Sequence, residues 1–439
     1  MADEPRPDLT EPPPEEIGAD SSEPQPTETV SSLGAFRALH HRNYRLYFGG
    51  QMTSLAGTWM QSAAQAWLVL KLTNSSMMLG VVSFAQFTPI LLVGLFAGVF
   101  VDRADRRRLI IVTQNLLMLS AFTLAALTWS GRVRVYHVIA LAAFNGTIGA
   151  FDMPGRQSFV VEMVGYEDLA NAIALNSMMF NGARMIGPAI AGLLIAWLGI
   201  GTCFFLNGLS FLAVIWSLTQ MDVPARIITE SGARVMHQLR EGLSYVWQHR
   251  PIFYQMALAA MANGFGYQYL VLVPLFARNV LHGDARTYGF LVAIQGLGSV
   301  LGAATLASRV TTRGIRNNLI VGLLISGVGI VVFGLSHRMF LSLAAQLVIG
   351  AGLTNFRASN NTLVQLFVSN DLRGRVMSTY QLAAVGMTPL GALEVGFVGN
   401  HVGPQQAVVI CGVIILGCAA VLITGLKAIG ASDSNALPA

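Results

Sequence analysis

The sequence predicts an all-α integral membrane protein: twelve transmembrane helices arranged as two pseudo-symmetric six-helix bundles. Three observations predict it. Only 11% of the 439 residues are charged and 54% are hydrophobic, against about 25% charged in a soluble globular protein. The mean hydropathy of +0.58 is too high for a surface that faces water everywhere. Apolar stretches of the roughly 20 residues needed to cross a hydrocarbon core as helices recur along the chain, with one long polar gap at its centre.

In chain order, residues 1–36 come first, with nine acids and one base, Arg6, among prolines and serines. They lack an apolar period, cannot bury enough surface to offset ordering, and read as a disordered acidic cytoplasmic tail. The basic-then-apolar pattern of a signal peptide is missing. The predicted spans are 46–70, 78–100, 109–129, 136–156, 171–197, 201–221, 252–277, 287–308, 318–335, 339–361, 377–399 and 405–428. They divide into an N-terminal bundle over 37–221 and a C-terminal bundle over 252–428, followed by a short cytoplasmic tail over 429–439. The cytoplasmic linker over 222–251 holds Arg226, Arg234, Arg240 and Arg250. Its apolar spacing (Val235, Leu239, Leu243, Val246, Trp247) predicts an amphipathic surface helix. The halves repeat: Asp168-Leu169 aligns with Asp371-Leu372 at an offset of 203, and Pro188 with Pro389 at an offset of 201. Parallel six-helix halves place a substrate site near the midplane between them.

Outside the tail the chain has 26 basic and 13 acidic residues. Assigned by side, 18 of the basic residues fall with the linker and the termini and six fall opposite. The positive-inside rule then puts both termini in the cytoplasm. Lysine occurs only at Lys71 and Lys427, and neither lies in a Gly-x-x-x-x-Gly-Lys-Ser/Thr loop. Transport work must therefore draw on a gradient or on a separate ATPase subunit. Cys203, Cys411 and Cys418 lie in apolar runs without metal spacing, and the histidines, mostly at loops, suggest no metal site. No cofactor is expected, and no nucleophile–base pair suggests an enzyme. The expected partners are a small-molecule substrate, protons and the lipid bilayer, with no nucleic acid, and the expected state is a monomer.

The most informative motif joins the second and third spans: Gly98-Val-Phe-Val-Asp102-Arg103-Ala-Asp105-Arg106-Arg107-Arg108. Gly94, Gly98 and Asp102 step by four, so they share one helix face on which the glycines permit close approach. Asp102 is suited to meet the positive end of a helix from the other half, and Arg373 and Arg375 precede the eleventh span, the expected neighbour. Together with Arg103, Arg106 and Arg107 these residues form an expected conformational gate. In the fifth span Gly187-Pro188-Ala-Ile-Ala191-Gly192 combines small packing residues with a proline that frees a carbonyl.

These motifs resemble the major facilitator superfamily, whose signature after the second span is Gly-x-x-x-Asp-Arg/Lys-x-Gly-x-Arg/Lys-Arg/Lys; this chain has Asp105 where glycine is usual. Gly187, Pro188 and Gly192 look like its antiporter motif. The resemblance extends to the branch of enterobactin exporters and macrolide-efflux proteins called transmembrane secretion effectors, over about residues 36–428. It is carried by Phe36-Arg-Ala-Leu, Arg42-Asn-Tyr-Arg-Leu-Tyr-Phe, Gly57-Thr-Trp-Met-Gln, Phe151-Asp-Met-Pro-Gly-Arg-Gln, Glu167-Asp-Leu-Ala-Asn-Ala and Leu372-Arg-Gly-Arg-Val-Met-Ser. It implies an inner-membrane exporter of amphiphilic metabolites or drugs, such as siderophores or macrolides, working as a proton antiporter.

Charged groups inside spans are expensive and are read as functional. Asp152 has two candidate partners, Arg156 one turn on and Arg106 on the loop, and joins the expected gate with Arg156. Arg184 lies near mid-depth of the fifth span and Arg357 late in the tenth. Glu394, in the eleventh, and Asp152 are the candidates for proton coupling. Gln61 and Gln65, one turn apart on one face, line the expected substrate cavity with Arg184, Asn263, Gln268 and Arg357. A static receptor or scaffold on the same fold is the competing reading, and import the competing direction; a scaffold has no use for the Gly98, Asp102 and Arg103 set.

Overall fold

The computed structural model describes residues 34–222, 235–307, 312–368 and 372–432. A 3₁₀ turn, Gly34–His40, precedes six long helices: α1 (Arg42–Thr73), α2 (Ser76–Arg103), α3 (Arg106–Trp129), α4 (Val135–Val164), α5 (Leu169–Leu198) and α6 (Ile200–Thr219). The linker helix α7 (Val235–Gln248) leads into α8 (Arg250–Met261), which continues through a π turn, Ala262–Gly266, and a 3₁₀ turn, Gln268–Leu272, into α9 (Val273–Asn279) as one broken rod. Then follow α10 (Ala285–Ala307), α11 (Thr312–Leu335), α12 (Met339–Phe367), α13 (Arg373–Val402) and α14 (Pro404–Ser432). The architecture is all-helical, as the composition predicts.

Among the described residues, nine helical stretches are long and apolar enough to cross a membrane. Helices α1, α4 and α10 are also long and carry polar side chains within their runs. These are Gln51, Gln61 and Gln65 on α1; Asn145, Asp152 and Arg156 on α4; and Gln295 on α10.

The repeat is visible in the packing. A Cβ on Gly146 of α4 would lie 2.0 Å from the Gln86 carbonyl of α2, and one on Gly350 of α12 would lie 2.0 Å from the Gln295 carbonyl of α10. The same helix crossing is therefore built twice, with glycine where the backbones touch.

The two halves meet at the end of the bundle away from the linker, called here the distal end. Ser75 and Asn400 lie 3.2 Å apart through Oγ and Oδ1, and Gly80 packs on the backbone of Ala392 and Gly396. On the other flank Gly192 and Gly289 cross, a Cβ on Gly289 meeting the Pro188 carbonyl at 2.4 Å. Among the described residues the buried apolar side chains fall into three clusters. The largest runs through both halves, from Met60 to Leu422. The other two flank the linker end, one confined to the N-terminal half, around Tyr44, Tyr47 and Phe159, and one to the C-terminal half, around Val246, Ile252 and Val364. The core is continuous at the distal end and divided at the linker end.

Helix α7 docks on the C-terminal half. Val246 is buried there, while Leu243 and Trp247 are exposed, and Trp247 meets Phe253 edge-on at 5.2 Å. Val235 and Leu239 of the predicted apolar face lie outside the described side chains.

Candidate substrate cavity

A cavity of about 650 Å³ opens among α1, α2, α4, α5 and α6, with Val271 of the broken rod reaching it from the other half. Its wall combines Trp59, Phe87, Phe180 and Phe211 with Gln51, Gln61, Gln65, Gln86, Asn145, Asn176 and Asn207. Apolar walls with a few placed polar groups are the usual make-up of a small-molecule site. A larger groove, about 810 Å³ between α2, α3 and α4, is almost wholly apolar and carries no comparable set of polar groups.

One polar network lines the linker-end part of the cavity wall. Asp152 is 8% exposed. Its Oδ1 accepts from Thr113 Oγ1 at 2.6 Å and Gln114 Nε2 at 2.9 Å, and its Oδ2 accepts from Arg156 Nε at 2.5 Å. Arg156 also hydrogen-bonds Tyr47. The network ties α1, α3 and α4 together, and its charges cancel within one helix turn. A buried pair of this kind depends on hydrogen bonds to its remaining polar atoms; Asp152 has them, while Arg156 Nη1 and Gln114 Oε1 are buried without a partner among the described residues. Arg106 sits elsewhere, donating to Glu162 Oε1 at 2.6 Å and the Ser158 carbonyl at 3.3 Å.

The loop after α2 is held by capping. Asp105 is the N-cap of α3 and accepts from the Arg108 amide at 3.1 Å. Arg107 donates to the carbonyls of Leu218 and Thr219, at 2.7 and 3.0 Å, where the C-terminus of α6 leaves acceptors unpaired. Arg103 is exposed. Asp102 ends α2 one residue before its last, and its side chain lies outside the described residues. Among the described residues, a Cβ on Gly94 or Gly98 would meet nothing within 4 Å. Arg373 is exposed, and Arg375 pairs with Glu241 of α7 at 2.8 Å. Gly187 packs on α1 at Ala56, Trp59 and Met60, and Gly192 on α10. Pro188 is buried between them.

Of the other expected cavity residues, Gln61 and Gln65 line the wall, and Gln61 accepts from Asn207 at 2.8 Å. Asn263 and Gln268 hold the break between α8 and α9: Asn263 donates to the Ala259 carbonyl at 2.8 Å, and Gln268 to the Asn263 carbonyl at 3.1 Å. They occupy backbone groups that the irregular turn frees. Arg184 donates across the halves to Gln295 Oε1 at 2.9 Å. Arg357 is exposed on α12. Glu394 shares the exposed arc of α13 with Leu390 and Phe397 and neighbours Cys411 of α14; it stands apart from the cavity wall. Sequence alone does not single out Tyr47, Thr113, Gln114 or Asn207 as site residues. Their one signal was the presence of a polar side chain in an otherwise apolar stretch.

Residues 33–438 match the family described as transmembrane secretion effector. The chain is 26% identical to the staphyloferrin A transporter of Staphylococcus aureus over 375 residues, covering 84% of this chain and 92% of that one. It is 27% identical to the multidrug efflux pump Tap of Mycolicibacterium fortuitum over 393 residues, covering 86% and 94%. Its fold superposes on the crystal structure of a mutant of the nucleoside transporter NupG with a TM-score of 0.72 at 11% identity, covering 88% of this chain and 99% of that one. An all-helical double bundle enclosing a cavity and matched along almost its whole length belongs to the transmembrane secretion effector family, and the chain is a multi-pass membrane transporter of the major facilitator type.

Proposed function

We propose that the chain is a secondary active exporter that moves an amphiphilic small molecule by alternating access, and that the described arrangement is its inward-open state. The observation that carries this reading is the divided core: packed across the halves distally, split at the linker end. The linker end is read as cytoplasmic because 18 basic residues gather there against six opposite, which leaves both termini inside. Relatives named for staphyloferrin A and for multidrug efflux support a cargo of siderophore, macrolide or similar type, and the mixed amide and aromatic wall suits such a molecule.

Coupling to protons is part of the same proposal, with Asp152 as the acid. Asp152 lines the cavity and Glu394 does not. Three donors surround the Asp152 carboxylate here, so a proton would bind in a state where Arg156 has moved away. The role of gate falls to Gly98, Asp102 and the arginines beside them, at the linker end of α2.

The test is efflux from cells and from proteoliposomes under an imposed pH gradient, with a macrolide and a siderophore as cargo. Gradient-driven efflux that collapses with an uncoupler supports the reading. Cargo levels that stay the same with and without the protein would reject export.

A further inference from the structure

The run Arg106-Arg107-Arg108 is only partly used inside the protein. Arg106 pairs with Glu162, and Arg107 holds the last carbonyls of α6. Arg108 points outwards, its side chain 86% exposed, with Asp105 at 3.2 Å as its carboxylate neighbour. An exposed pair three residues apart on a helix contributes little, and a guanidinium has five donors in a planar fork. Arg103 is exposed at the same end of α2.

Arg108 and Asp105 stand at the mouth of the groove of about 810 Å³ between α2, α3 and α4. Behind them the walls are Phe96 and Phe100 of α2, Val112 and Leu116 of α3, and Phe144 and Phe151 of α4. Phe100 meets Phe151 edge-on at 5.7 Å, joining two of these walls. Arg108 sits one residue before the third predicted span, at headgroup level. From Arg108 to Leu116 α3 rises about 12 Å, so the groove runs from that level into the hydrocarbon layer.

The groove lies on the side of α2 away from the other half. Gly80 packs on α13, where a Cβ on it would meet the Ala392 carbonyl at 2.6 Å. Gly98 follows about five turns later on that same face. Phe96 and Phe100 each stand two residues from Gly98, about 200° round the helix, so they face the lipid. In a bilayer, acyl chains fill an apolar groove on such a face, and the mouth selects the headgroup. A phosphate accepts from the arginine fork, and basic groups beside a span attract anionic lipids.

We propose that this groove binds one anionic phospholipid of the leaflet at the linker end, with an acyl chain along Phe96, Phe100, Val112 and Phe144 and its phosphate on Arg108. The site stands independently of the transport reading. Thr113 also lines the groove and donates to Asp152 Oδ1 at 2.6 Å, so the bound chain rests on the helix wall that holds that carboxylate.

The test uses the full chain in mild detergent with equal amounts of phosphatidylglycerol, phosphatidylethanolamine and phosphatidylcholine of matched chains. Native mass spectrometry reads which lipid stays bound. Phosphatidylglycerol should be retained about fivefold over phosphatidylcholine, the preference expected from one arginine at a membrane surface. Arg108→Gln should remove the preference and Arg108→Lys keep most of it. Val112→Trp, which fills the groove, should also remove it. Phosphatidylglycerol should raise the unfolding temperature of the unaltered protein and not that of Arg108→Gln; a lipid-free Arg108→Gln protein that unfolds at the unaltered temperature shows that the variant folds. Equal retention of the three lipids, or preference for a zwitterionic one, overturns the proposal. A phosphatidylglycerol preference that survives Arg108→Gln overturns the headgroup contact, and one that survives Val112→Trp overturns the groove. Displacement of the bound lipid by an added macrolide would make the groove a cargo path, and a dimer mass abolished by Val112→Trp would make it an interface between copies; either result rejects the lipid site.

Discussion

Trp67 of α1 stacks on Tyr288 of α10, ring centroids 6.0 Å apart and planes inclined by 14°. Both side chains belong to the buried apolar cluster common to the two halves, Tyr288 fully within it and Trp67 packed against it. Aromatic pairs add about 0.5–1.5 kcal/mol beyond the area they bury. A seal of this kind is strong enough to hold and weak enough to break within a transport cycle.

If the distal ends must part for cargo to leave, tying them together stops export. Ser75 and Asn400 are the natural sites, 3.2 Å apart through their side chains. In a background without the native cysteines, Ser75→Cys with Asn400→Cys should cross-link with a short bifunctional thiol reagent. Efflux should fall below about a tenth and return when a reducible cross-linker is cleaved. Full efflux from the cross-linked protein would mean that this end does not open.

The opposite bias comes from overpacking the seal. A Cβ on Gly289 would meet the Pro188 carbonyl at 2.4 Å, a backbone atom that cannot swing aside. Overpacking costs about 1–3 kcal/mol, which shifts a two-state equilibrium about 5–150-fold. Gly289→Val should therefore favour the distally open state. A cysteine at position 75 should label faster with a membrane-impermeant thiol reagent, and export should slow. Unchanged labelling would place this crossing outside the conformational switch.

The sequence made the double bundle legible because hydropathy and the central polar linker both derive from bilayer thickness, a constraint that acts on each span separately. The site was legible only in part. Asp152 and Arg156 stand one turn apart, so helix periodicity alone pairs them. Thr113 and Gln114 reach Asp152 from α3, and Tyr47 reaches Arg156 from α1; those meetings depend on how helices cross, which no local pattern records. Gln268 carried the same signal as Gln61, a lone amide in an apolar run, yet it staples a broken helix while Gln61 faces the cavity. Glu394 likewise looked buried by depth along its helix, but its angular position puts it with Leu390 and Phe397.

The network around Asp152 predicts strong non-additivity. Asp152→Asn leaves Arg156 charged at a buried rim, and Arg156→Leu leaves Asp152 with Thr113 and Gln114 alone. Removing one partner of a buried pair costs about 3–5 kcal/mol. Each single variant should lower the thermal unfolding temperature in detergent, and the double variant should lose less than the sum of the two. Additive losses would show that the two charges do not stabilise each other.

The loop after α2 separates capping from gating. The family signature has glycine where this chain has Asp105, and here Asp105 caps α3 through the Arg108 amide at 3.1 Å. Glycine at an N-cap costs only a few tenths of a kcal/mol and alanine about 1 kcal/mol, so Asp105→Gly should be nearly silent and Asp105→Ala mildly destabilising, with efflux retained in both. Arg107 differs, because its two bonds hold the last carbonyls of α6. Arg107→Ala should cost about 1–3 kcal/mol, the range for charge-assisted bonds at a helix C-terminus, and should loosen α6 as read by hydrogen exchange at residues 214–220. If Arg107 serves only to cap α6, Arg107→Ala protein that remains folded should still export, at a rate reduced no more than its stability. Loss of efflux in a stably folded Arg107→Ala protein, with Asp105→Gly active, would instead assign Arg107 to the moving contact between the halves.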